Sequence, residues 1–155
     1  MNRLATLLSV VLFSFALTSC SLLGKKEAAS TPVEITEDFF RQLGSGSEIG
    51  AKMHFAQDSW TREEQENLYN LMEEFEAIRD GLELYKSSFH DYVSTDLMDY
   101  MEFAEIYNDG KEATVRATID TGSTFDYEYA FTETFKCYLI VEDGEWKIYD
   151  AEYIE

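Results

Sequence analysis

The hydrophobic period changes once along this chain, and that change constrains the fold more than any other feature. As far as Leu82 the apolar residues recur at helical steps of three and four. Beyond Asp96 they recur at steps of two, the period of a half-buried strand. Helices therefore come first and strands follow. Segregated in this way, they imply an α+β fold, with N-terminal helices packed on a curved antiparallel meander of about four strands.

The helical half carries its own punctuation. In Thr31-Pro32-Val33-Glu34, Thr31 can cap, Pro32 suits the first helical position and Glu34 completes a capping box. The helix is expected to run to about Leu43, offering Val33, Phe39, Phe40 and Leu43 for burial. Gly44-Ser45-Gly46-Ser47 ends it, and Ser47 is placed to cap a short second helix through Phe55. Thr61-Arg62-Glu63-Glu64 is a second capping box. After it Leu68, Leu71, Met72, Phe75, Ile78 and Leu82 fall on one helical face. Glu63, Glu66, Glu73, Glu74 and Glu76 lie mostly elsewhere and read as a solvated face. From Tyr85 to Thr95 the pattern allows either more helix or an irregular turn.

In the strand half, Met101, Phe103 and Ile106-Tyr107 lead into Asn108-Asp109-Gly110, a hairpin turn signal. Ala113, Val115, Ala117 and Ile119 alternate on the return strand, and Thr121-Gly122-Ser123-Thr124 turns the chain again. Phe125, Tyr127, Tyr129, Phe131, Phe135, Cys137, Leu139 and Val141 then share one face. A straight strand over that run would measure ~56 Å, too long for a small domain. It must bend, and a bulge near Thr132–Thr134 is expected. Glu142-Asp143-Gly144-Glu145 is a further turn, and Trp146-Lys147-Ile148-Tyr149 opens the last strand.

The chain has 155 residues, enough for one domain with a real core. It carries 12 Lys+Arg against 31 Asp+Glu, a formal charge of −19. A surface that acidic repels phosphate backbones, which argues against a nucleic-acid partner. Its hydrophobic fraction of 45% argues against intrinsic disorder.

The first residues read as an address. Arg3 gives a positive start, and Leu4 to Leu17 is mostly apolar. That stretch falls short of the roughly 20 residues a membrane span needs. Leu17-Thr18-Ser19-Cys20 follows, and it resembles the lipobox of bacterial lipoprotein precursors. The resemblance implies lipid transfer to the Cys20 thiol and cleavage before it. The signal peptide is then residues 1–19, the lipidated cysteine and tether 20–31, and the folded domain 32–155. Several acyl chains, palmitate among them, meet the need of stable anchoring for more than one lipid signal. Ser21 lacks the aspartate of inner-membrane retention. By the same resemblance it directs the protein to the outer membrane, facing the periplasm, if the source is Gram-negative. The membrane is thus one expected partner, through Cys20.

Within the domain, three stretches carry a second resemblance. They are Ala113-Thr114-Val115-Arg116-Ala117, Tyr138-Leu139-Ile140-Val141-Glu142-Asp143-Gly144 and Trp146-Lys147-Ile148. Following helices, they resemble the nuclear transport factor 2-like superfamily, a cystatin-like cone, and within it small bacterial lipoproteins of unknown function. The resemblance implies a pocket between sheet and helices, which the row holding Tyr127, Tyr129, Phe131 and Phe135 would face. The same rings would equally serve as plain core.

Catalytic signals are sparse. His54 and Asp58 share a face only if their helix continues, and the adjacent His90 and Asp91 do not face each other on a helix. Neither histidine matches a family motif, so no catalytic residue is assigned. The Gly-containing turns lack the frame of a calcium loop, and no metal site or cofactor is expected. Cys137 reads as a buried, inert thiol. Three readings stay open: a non-catalytic protein-interaction or assembly domain with a partner in the envelope, a module holding a small apolar ligand in the cone, and an isomerase or dehydratase. The balance is against an enzyme.

Overall fold

A computed structural model describes residues 30–58, 61–89, 94–122 and 130–154. Helix α1 spans Pro32–Gly44, α2 Glu48–Lys52 and α3 Arg62–Phe89. A single 3-10 turn, Leu97–Tyr100, leads into four strands: β1 Met101–Asn108, β2 Glu112–Asp120, β3 Thr132–Glu142 and β4 Glu145–Ile154. The strands form one antiparallel meander in the order β1-β2-β3-β4. The α+β arrangement expected from the change of period is present.

Both expected capping boxes form. Thr31 Oγ1 accepts the Glu34 N–H at 3.2 Å, and the Glu34 carboxylate accepts the Thr31 N–H at 2.7 Å. Thr61 and Glu64 make the same reciprocal pair at the start of α3. Each box satisfies donors that the first helical turn otherwise leaves without partners. The second helix is shorter than expected, ending at Lys52 rather than Phe55. Its tail is drawn into the sheet instead. Ile148 donates to the His54 carbonyl at 2.8 Å, and the Ile148 carbonyl accepts from Ala56 at 2.9 Å. These bonds make a parallel bridge between Phe55 and Ile148. Of the open stretch from Tyr85 to Thr95, the part to Phe89 is helix, residues 90–93 lie outside the described residues, and Ser94 and Thr95 are irregular.

The turns follow their residue types. At the first hairpin, Asp109 Oδ1 accepts the N–H groups of Lys111 and Glu112, and Asn108 Oδ1 accepts that of Gly110. At the last, Asp143 and Gly144 both have positive φ, 53° and 83°, the geometry that matches strand twist in a two-residue hairpin. The expected bulge near Thr132–Thr134 is absent. Those residues pair in unbroken register with Thr118–Asp120. Phe125–Tyr129 of the long run lie outside the described residues; just before β3, Thr121 Oγ1 accepts the Phe131 N–H at 2.9 Å and donates to its carbonyl at 3.1 Å. The register shifts lie at Ile106 in β1 and Tyr149 in β4. Both are edge strands, where an extra residue disturbs one ladder rather than two.

Helix α1 lies across the buried face of the sheet and α3 packs along β4. Phe39, Phe40, Leu43, Leu68, Leu71, Phe75, Val115, Ile119, Phe135 and Leu139 are buried between them. The Phe40 ring has centroids 5.2 Å from Phe75, 5.6 Å from Phe135 and 5.9 Å from Phe103. It thereby joins α1 to α3, β3 and β1. Replacing Phe40 by Ala removes the shared ring and leaves a cavity. The variant is expected to lose about 3–5 kcal/mol of stability, read as a lower midpoint in chemical denaturation with an unchanged slope.

Candidate functional site

The residues expected to line a pocket divide into two sets. Tyr127 and Tyr129 lie outside the described residues, as do Cys20, His90 and Asp91. Phe131 is partly buried against the core. Phe135 is wholly buried, its ring 5.6 Å from Phe40, 6.4 Å from Phe75 and 5.3 Å from Tyr153. The space between β3 and the helices is thus occupied by rings at packing distance.

His54 is not paired with Asp58. Its backbone is tied to β4, while the Asp58 and Gln57 N–H groups both donate to the Glu142 carboxylate, at 2.9 Å and 2.8 Å. Burial holds the His54 pKa below its ordinary value of 6.5. Asp38 pulls it up and Lys147 pushes it further down. Cys137 is a free, buried thiol on the core face of β3, with its pKa pushed up by burial. Both Asp-Gly segments are turns, as the sequence implied. Among the described residues no group of three His, Cys, Asp or Glu side chains is placed to hold a metal. No described helix is long and apolar enough to cross a membrane.

A cleft with several convergent polar groups lies elsewhere. It is an open groove of about 500 Å³ between α3 and the C-terminal half of β4. Asn67, Asn70 and Glu74 wall it from the helix, with Asp150 and Glu152 facing them from the strand. Asn67 Nδ2 donates to Asp150 Oδ1 at 2.9 Å, and Asp150 Oδ1 also accepts the Ala151 N–H at 2.9 Å. Tyr138 donates to Glu152 Oε2 at 2.9 Å. Burial, together with that carboxylate, pushes the Tyr138 hydroxyl up to about 12. Lys136 lies 3.6 Å from the same Glu152 oxygen.

Sequence reading missed this groove. Asn67 and Asn70 stand three apart on a helix whose acids read as a solvated face, and Asp150 and Glu152 alternate on the last strand. Those spacings were visible. What was hidden is that β4 closes the sheet and that α3 lies beside it.

No family model matches the chain, and no curated protein matches it. Among solved structures, the chain is similar to an NTF-2-like protein of unknown function from Shewanella oneidensis MR-1. The identity is 14% and the TM-score 0.41, over 79% of this chain and 95% of that one.

Two consequences are measurable. The unfolded state binds a proton at His54 more readily than the folded state does. The penalty is therefore absent above the ordinary value of 6.5 and grows as pH falls through 6.5 toward the lower folded value. The His54→Gln variant should lose less stability than the parent between about pH 7.5 and pH 5.5 in paired denaturation curves. The Cys137 thiol should resist a disulfide reagent in the native protein and react in full once guanidinium unfolds it.

Proposed function

We propose that this chain is a lipid-anchored cell-envelope protein whose domain, of the nuclear transport factor 2-like cone type, serves protein interaction or assembly rather than catalysis. The observation that carries the non-catalytic half is the ring cluster. Phe40, Phe75 and Phe135 fill the space that an apolar ligand or a substrate inside the cone would need. Cys137 within that core and His54 at its margin point the same way. Cys137 has a pKa raised by burial, and His54 is held by its backbone at the sheet edge. The cone assignment is supported by the order of the elements, helices first and then an antiparallel four-strand meander.

The envelope half is supported by Arg3, the apolar Leu4–Leu17 segment and Leu17-Thr18-Ser19-Cys20, followed by a short polar stretch before α1. In a chain of formal charge −19, the acidic domain is repelled by anionic head groups and would stand off the bilayer on its tether. Outer-membrane placement, in a Gram-negative source, is the reading Ser21 supports.

Expression of the full chain in a bacterial host with a clickable palmitate analogue tests this reading. The parent should take up label and show a mature mass that begins at Cys20. Cys20→Ser should take up none and keep its leader. A mature chain that is cleaved elsewhere and unlabelled would sink the lipoprotein reading.

A further inference from the structure

The outward edge of β4 is used in two different ways. Its first half is covered by the chain itself, since Ile148 exchanges both backbone bonds with His54 and Ala56. That pairing shows the edge accepting an extended segment. The Tyr149 bulge then shifts the strand. Past it, the Ala151 N–H is held not by a strand but by the carboxylate of its own neighbour, Asp150. The groove against α3 opens at this point.

The groove has the parts that main-chain recognition needs. On one side is a strand edge whose Ala151 donor is occupied only by a side chain. On the other are the Asn67 and Asn70 amides, each able to donate and accept. Leu71 and Ala151 give an apolar floor between them. The charged side chains lining it are all acidic: Glu74, Asp150 and Glu152. No described ion pair neutralises Glu74 or Asp150. A carboxylate-walled groove favours a cationic occupant and rejects an acidic one.

We propose that this groove docks an extended, lysine- or arginine-bearing segment of a partner protein, which adds alongside β4 as a further strand. This rests on the protein-interaction reading above and names the chemistry of the partner. Docking exchanges the Ala151 bond to Asp150 for one to a peptide carbonyl. The Asp150 carboxylate is then released toward the incoming cation. Asp150 to Ile154 spans ~17 Å, so about five or six partner residues fit along it.

The test uses the full lipidated chain in neutral detergent micelles and a fluorescein-labelled octapeptide of alternating lysine and valine, read by fluorescence polarisation. A second peptide of the same charge carries N-methyl groups on alternate backbone nitrogens, so it cannot complete a ladder. The unmodified peptide should bind about tenfold tighter than the methylated one, the loss expected for one or two net backbone hydrogen bonds. Asn70→Trp, which fills the groove without changing charge, should weaken it by about the same factor, with an unchanged melting curve. Ile106→Trp, half exposed on β1 at the other edge of the sheet, should leave binding intact. Equal binding of both peptides, an indifferent Asn70→Trp or no binding at all would each overturn the groove. Photo-crosslinking residues placed at Asn70 and at exposed positions on every other face, in cells, separate the two readings. Adducts only on other faces, with the peptide result negative, leave an interaction domain without this groove. No adduct at any position overturns the interaction reading as well.

Discussion

The Phe40 ring is the point on which the architecture turns. It belongs to α1, yet its neighbours Phe75, Phe103 and Phe135 come from α3, β1 and β3. Neither layer can bury its apolar face alone. A helix stripe and a sheet face of this size become stable only when pressed together. With Phe39 at 5.1 Å completing the cluster, the contact also settles what the interior contains. Interlocked rings fix the distance between sheet and helices at side-chain packing, and backbone groups are left open only at the sheet margins.

Those margins are handled unequally. β1 ends in a bulge at Ile106 and a hairpin tip where Ile106 and Tyr107 are half exposed. β4 is guarded by the Phe55 segment, by its own bulge and by the Asp150 carboxylate. Bulges and charged side chains are the usual means by which proteins blunt open edges. Here the guard on the second half of β4 is a side chain, which can move aside far more cheaply than a strand.

Much of the fold was legible because the deciding interactions are local. A capping box spans four residues, and both were visible as Thr-x-x-Glu. The Asn108-Asp109-Gly110 and Asp143-Gly144 turns satisfy their backbones with their own side chains or with positive φ. The alternation Ala113, Val115, Ala117, Ile119 places all four in the core. Misreadings occurred where a distant partner decides. The second helix stops early because Phe55 is claimed by β4, far along the sequence. The bulge expected in β3 is absent because Thr132–Thr134 are held in unbroken register by β2, and the kinks lie in the edge strands. Val141, read onto the buried face, is exposed beside the hairpin turn. The β4 groove needed knowledge of which strand ends the sheet, which spacing does not encode.

Helix α3 is 28 residues long, about 42 Å, and outreaches the sheet it flanks. Leu82 is the last fully buried side chain among its described ones, Tyr85 leans on the core, and Leu84 is 68% exposed. Gly81 sits just before this change, at a point where it weakens the helix. From Glu83 to Ser87 the described side chains are exposed or half-buried, so this stretch depends more on its own backbone bonds than the preceding turns do. The helix is one element in geometry but uneven in free energy: a shaft anchored as far as Leu82, and a continuation to Ser87 that buries much less.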